Sequence, residues 1–295
     1  MSNFQTSAYQ FFENQLNTWQ LVRDNFEGLK LVKTKNFDFE GFSIEVCCNP
    51  VRIRSTAINV IKADYPENSC FLCKENRPSV QSSIDLGEFE LLVNPYPIFP
   101  IHFTIANKKH AIQDILPYLH HYLYFATLLP AFAIFFNGTK CGASAPCHTH
   151  FQAAEKIYFP LFKDYRNSKN VFDIVEQNAD FTLKYSKNYL RNVICIVSKN
   201  PIPVFEKTLC NLQQKGIPNT MINVISCFDN DEWTIFIFPR KAFRPTQFFE
   251  QDEDRRLMIS PASVELSGKI ITPLEAHFDK ITKANIVDIY KQISG

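Results

Sequence analysis

Asn137-Gly-Thr-Lys-Cys-Gly-Ala-Ser-Ala-Pro-Cys-His-Thr-His-Phe-Gln152 is the stretch on which the reading of this chain turns. His148, His150 and Gln152 stand at every second position. On a β-strand that spacing puts all three on one face, with Thr149 and Phe151 on the other. Ahead of them lies a loop of small residues, Gly142, Ala143 and Ser144. Such a loop lets backbone N–H groups approach an anion. Asn137, where the preceding strand enters the loop, is a further candidate contact, with Gly142 and Ser144. Two imidazoles, an amide and an anion-binding loop on one surface suit chemistry on a phosphate. A lone His is more often a satisfied structural residue; His-x-His-x-Gln behind a small-residue loop outweighs that reading.

Outward from this stretch, the period of the apolar residues places the elements. Phe4, Ala8, Phe12, Leu16 and Trp19 predict one helix over 4–27. Residues 29–61 read as strand-rich. Strands are expected at 88–93, 101–106, 131–136 and 148–153, with a proline-rich turn at 94–100 and a helix over 114–128. In the second half a polar stretch near 163–173 precedes a helix around 181–189, a strand at 193–197 and a helix near 204–215. A hairpin follows at 221–238 and a helix at 283–294. Strands and helices mixed with hairpins indicate an α+β fold. Ile105-Ala-Asn-Lys-Lys-His110 and Ile237-Phe-Pro-Arg-Lys-Ala-Phe243 both follow strands, a faint internal repeat.

Composition narrows the class. The chain has 295 residues, room for one large domain or two ordinary ones. Hydrophobic residues at 45% and charged residues at 21% are those of a globular protein. With 31 basic and 30 acidic side chains the net charge is +1, so neither nucleic acid nor an anionic membrane is an expected partner. The segment 122–136 is too short to span a bilayer and contains Pro130. The N-terminal segment carries acidic residues and no apolar run, unlike a secretory signal. Nine Cys, an odd number, fit no disulfide scaffold. A cytoplasmic protein with reduced thiols is expected.

Cys70 and Cys73 form a CxxC, a spacing that can grip one tetrahedral zinc with two further ligands. Two ordinary buried thiols are an equal alternative on this motif alone, and His102, His110, His120, His121, His148 and His150 are the available partners. Arg52 and Arg54 alternate on an expected strand and are candidates to face a nucleotide. Arg240, Lys241 and Arg244 follow the hairpin and are candidates to hold a phosphate.

Taken together, His-x-His-x-Gln, the CxxC, Asn94-Pro-Tyr-Pro-Ile-Phe-Pro-Ile-His-Phe and Lys-Lys-His110 resemble the galactose-1-phosphate uridylyltransferase branch of the histidine-triad superfamily, near bacterial GDP-hexose phosphorylases. The likeness is specific over roughly 45–155 and looser beyond. It implies histidine-triad-like antiparallel sheets with helices, in two halves: 1–165 with the zinc and His-x-His-x-Gln site, and 166–295 completing the substrate site. It implies that His150 is the nucleophile, forming a nucleotidyl-histidine intermediate, and that Gln152 bonds the phosphate oxygens. A backbone carbonyl on the other His150 ring nitrogen would fix the reactive tautomer. It implies a structural zinc on Cys70, Cys73, His110 and His148, a ribose contact at Asn94 and a phosphate loop at Ser144. The chain departs from the family pattern by placing Cys147 between Pro146 and His148, which adds a candidate ligand.

The resemblance thus points to a nucleotidyltransferase or phosphorylase. Its substrates would be a nucleotide sugar with phosphate or a sugar 1-phosphate, and a homodimer is the assembly that relatives suggest. Phosphorolysis of a dinucleoside polyphosphate is the alternative chemistry. A non-catalytic, zinc-stabilised nucleotide-binding protein is the alternative of a different class.

Overall fold

A strand buried on both faces needs apolar residues at every position, and Phe132-Ala-Ile-Phe-Phe136 supplies them. The protein is described here from a computed structural model that covers residues 3–50, 70–167 and 171–295; Arg52 and Arg54 lie outside the described residues. Two helices open the chain, α1 (Asn3–Thr18) and α2 (Gln20–Gly28), followed by β1 (Lys33–Phe39) and β2 (Phe42–Cys48). Next come β3 (Ile84–Leu86), β4 (Phe89–Val93), β5 (His102–Asn107), α3 (Leu119–Leu128), β6 (Phe132–Asn137), β7 (His150–Glu155) and α4 (Pro160–Asn167). The second half holds β8 (Phe172–Gln177), β9 (Phe181–Ser186), β10 (Ile194–Ser198), α5 (Ile202–Gln214), β11 (Ile222–Asp229) and β12 (Glu232–Pro239). The chain closes with α6 (Ser263–Leu266), β13 (Lys269–Thr272), α7 (Glu275–Lys280) and α8 (Lys283–Ile293). The α+β class is as expected. None of the described helices is long and apolar enough to cross a membrane.

Ten strands form one antiparallel sheet in the order β3-β4-β5-β7-β6-β11-β12-β10-β9-β8. The order repeats. Each half runs strand, strand, strand, helix, strand, strand, and its fourth strand, β6 or β11, pairs with the other's at the centre. Asn137 stands opposite Asn223 in that seam. The halves are thus related in topology, whereas the two short similar segments follow β5 and β12, which are not equivalent strands.

Alternation along β6 feeds two cores. Phe132, Ile134 and Phe136 pack with α1, α2, α3 and α5 through Phe12, Phe26, Tyr122 and Phe205. Ala133 and Phe135 point the other way, toward β2, β13 and α8 through Val46, Ile270 and Tyr290. The first helix is two helices because Trp19 takes extended backbone, φ −116°, and buries its ring. Residues 181–186 are strand, not helix: Phe-Thr-Leu-Lys-Tyr-Ser alternates with period two, and the helix reading mistook the period. The β11–β12 hairpin turns on Asn230 and Asp231, both at positive φ, as a tight two-residue turn requires.

Arg240, expected to hold a phosphate, is instead a structural residue only 2% exposed. Its Nη1 donates to Asn223 Oδ1 (2.6 Å) and to Pro261 O (3.1 Å). Its Nη2 donates to Ala242 O and Phe243 O, and its Nε to Ile293 O. A guanidinium has five N–H donors, and these five bonds use all of them. Replacing Arg240 by Met leaves buried acceptors without donors. Urea unfolding of Arg240→Met is expected to show a loss of about 3–5 kcal/mol; a loss below about 1 kcal/mol contradicts the keystone role.

Candidate active site and metal centre

The CxxC forms a tight turn, with Cys73 N–H on Cys70 O at 3.1 Å. His110 lies just beyond β5 and His148 just before β7, so two neighbouring strands deliver both rings to the thiols. Cys70 Sγ is 3.3 Å from His148 Nδ1, and Cys73 Sγ is 3.2 Å from His110 Nδ1 and 3.5 Å from His148 Nδ1. The four ligand atoms lie within 4.8 Å of one another. Sulfur and nitrogen ligands on a tetrahedral ion are about 3.5 Å apart, so the set fits a metal ion. His148 Nε2 donates to Asn107 O at 2.7 Å, which leaves Nδ1 with its lone pair toward the thiols. Burial pushes the Cys70 thiol up, but the His148 ring and the Leu72 and Cys73 amides outweigh it and bring it down to about 6. Thiolate ligands need that direction. The knuckle packs on Leu92 and Ala106 of the large sheet, with Cys147 beside it. Cys147 and His102 are not members of the cluster.

His150 opens β7 and is held on three sides. Its backbone N–H donates to Gln113 Oε1 at 2.7 Å, and Gln113 Nε2 donates back to His150 O at 2.9 Å and to Asn137 O at 3.1 Å. Its ring Nδ1 donates to His148 O at 2.8 Å. A carbonyl can only accept, so the proton sits on Nδ1 and Nε2 keeps its lone pair. Burial pulls the His150 pKa down to about 4, so the ring is neutral at pH 7. Nε2 lies 3.4 Å from Ser144 Oγ, on the loop.

Pairing across β5 and β7 places Ala106 opposite His150 and Thr104 opposite Gln152. These residues share the sheet face on which the Cys70–Cys73 knuckle sits. Asn94 joins them from the end of β4, its Nδ2 on Thr104 Oγ1 at 3.3 Å. Its Oδ1 accepts Tyr96 N–H and caps the proline-rich turn.

The loop is fixed from beneath. Asn137 Oδ1 accepts from Asn223 Nδ2, Ser263 N and Ser263 Oγ, so only its Nδ2 is left to offer a ligand. Asn223 Nδ2 also donates to Cys141 O. Gly142 has φ +108°, and a Cβ there would stand 2.5 Å from Ala262 Cβ. Only glycine fits this position. Lys241 is exposed; its backbone N–H holds Ile293 O. His102 was expected only as a possible metal partner, and Gln113, Asn107, Asn223 and Ser263 were not singled out from the sequence as parts of this site. They carry no local motif, and only the fold brings them to it.

Residues 11–155 match a family model described as a domain of unknown function (DUF4922). Residues 199–294 match a GDPGP1-like C-terminal domain. No curated protein matches the chain. Yeast Ap4A phosphorylase in complex with AMP superposes with a TM-score of 0.55 at 16% identity, over 92% of this chain and 94% of that one. Another structure of the yeast enzyme gives 0.52 at 17% identity, over 92% of each chain. A DUF4931 protein from Bacillus cereus gives 0.39 at 14% identity, over 57% of this chain and 89% of its own. The likeness to the yeast enzyme is one of fold, and the fold is histidine-triad-like.

A buried four-ligand site contributes to folding when it is loaded. Cys70→Ser is expected to lower bound metal and to cost about 3–5 kcal/mol. Elemental analysis of the purified protein and its urea midpoint check this together. A metal-free wild type whose midpoint is indifferent to chelation contradicts it.

Proposed function

We propose that the protein transfers a nucleotidyl group from a nucleoside diphosphate hexose to phosphate or to a hexose 1-phosphate, through a covalent intermediate on His150. The observation that carries this is the state of the His150 ring: neutral, buried, its Nδ1–H spent on His148 O and its Nε2 lone pair turned toward Ser144 Oγ. In the first step Nε2 attacks the α-phosphorus, and the bond from phosphorus to the bridging oxygen breaks. The sugar 1-phosphate leaves with that electron pair. In the second step an acceptor phosphate oxygen attacks the same phosphorus, the P–N bond breaks and neutral His150 is restored. Gln152 donates to the non-bridging oxygens, and Ser144 with the neighbouring loop amides would receive the remaining charge. Asn94 is assigned the ribose contact on the motif resemblance.

We assign the ion of the Cys70, Cys73, His110 and His148 cluster as zinc, since two thiolates and two imidazoles are a zinc donor set. Held by these four residues, it would be structural and would not take part in the chemistry. It supplies rigidity to the segment that carries His150, and the chemistry falls to the protein's side chains. We place the zinc and nucleophile in residues 1–165 and assign 166–295 to completing the substrate site, with Lys241 a candidate phosphate contact.

A hexosyl donor is favoured by the motif resemblance and by the GDPGP1-like match of the second half. The fold shared with yeast Ap4A phosphorylase over most of both chains favours a second reading, phosphorolysis of a dinucleoside polyphosphate. The two separate on kcat/KM for GDP-hexoses, UDP-hexoses and diadenosine tetraphosphate, each with phosphate. A hexosyl preference is expected, because polar groups matched to sugar hydroxyls are left unpaired by other donors. A preference for diadenosine tetraphosphate overturns the donor and leaves the mechanism standing.

His150→Ala is expected to abolish turnover with the fold intact, and His150→Gly to recover part of it with added imidazole. Intact-mass analysis of wild type mixed with donor alone should show a nucleotidyl adduct. More than a few per cent residual activity in His150→Ala rejects the nucleophile.

A further inference from the structure

The Asn94-Pro-Tyr-Pro-Ile-Phe-Pro100 run ends beside a histidine that the mechanism above does not use. His102 is fully buried at the start of β5. Ile98 N–H donates to its Nδ1 at 3.3 Å, and its Nε2 lies 3.0 Å from Gln152 Oε1. A backbone N–H can only donate, so Nδ1 is the acceptor and the ring proton sits on Nε2. That proton is given to Gln152 Oε1. The ring plane is held by Phe135, stacked at 5.9 Å, and by Phe99, edge-on at 5.7 Å.

We propose that His102 is a positioning residue that sets the direction of the Gln152 amide. This rests on the His150 mechanism. A Gln amide can turn over, exchanging its oxygen for its NH2 at small cost where nothing selects between them. Here something does. Turned over, Gln152 would set its NH2 against the Nε2–H of His102, donor against donor, and the bond would be lost. With Oε1 on His102, both amide N–H groups face away from the ring and are available to the non-bridging oxygens of the transferred phosphoryl. Direction passes from Ile98 N–H to His102, from His102 to Gln152, and from Gln152 to the substrate. The proline-rich turn thereby acquires a role: Pro97 and Pro100 restrain the backbone that aims the Ile98 N–H at the ring. Asn94 Oδ1 on Tyr96 N–H restrains it from the other side.

The test is a double-mutant cycle on the nucleotidyl-transfer rate with His102→Ala, Gln152→Ala and the pair. A residue acting through Gln152 lowers kcat more than it raises KM, and it has nothing left to lose once Gln152 is gone. His102→Ala is expected to lower kcat ~10–100-fold. The double variant should match Gln152→Ala within about twofold. His102→Gln, which can present an N–H to Oε1, should retain more activity than His102→Ala, and it takes over the cycle if the alanine variant does not fold. Losses that multiply in the double variant, or an unchanged kcat in a folded His102→Ala variant, overturn the proposal. Adduct formation on wild-type His150 is measured in the same preparations. Its absence rejects the His150 mechanism and this proposal together, whereas an adduct with multiplying losses rejects this proposal alone.

Discussion

One residue, His148, joins the candidate metal knuckle to the ring of the candidate nucleophile, His150. Its side chain turns toward Cys70 and Cys73, and its backbone carbonyl takes the Nδ1 proton of His150 at 2.8 Å. The carbonyl chooses the His150 tautomer and so decides which nitrogen carries the lone pair. Its own position depends on the imidazole two atoms away, which Asn107 O and the thiols hold in turn. A metal in the cluster would therefore bear on the candidate nucleophile without approaching a substrate, through the covalent stiffness of a single residue.

A second buried network ties the halves at the same place. Arg240 holds Asn223, Asn223 holds Asn137 and Cys141 O, and Asn137 receives both donors of Ser263. The central β6–β11 seam thus runs under the loop that faces His150. Buried polar groups are costly unless every partner is present, and here the partners come from widely separated segments. That makes the loop a property of both halves, although all its residues belong to the first.

The candidate site was legible in the sequence because its residue pattern is local. His-x-His-x-Gln and the CxxC are short motifs whose spacing carries meaning without a fold, and the structure brings Cys70, Cys73, His110 and His148 together. The strands at 132–137 and 222–239 were legible from apolar runs and a two-residue turn. Arg240 was misread because a basic residue after a hairpin has the same sequence signature whether it meets a ligand or five backbone and side-chain oxygens. The segment 181–186 was misread against a visible alternation, an error of period.

Local chemistry is what the sequence by itself determined: an α+β chain, a small-residue loop before two histidines and a glutamine, and a thiol pair suited to a metal. Residue types and near-neighbour spacing are sufficient for these. The tertiary structure decided everything that depends on direction. It set which His150 nitrogen carries the lone pair, which way the Gln152 amide points, which arginine is buried and which pair of strands joins the halves. Direction comes from hydrogen-bond partners distant in the chain, Gln113, His102, Asn223 and Ser263, and no local pattern announces a partner that only the sheet brings within three ångströms.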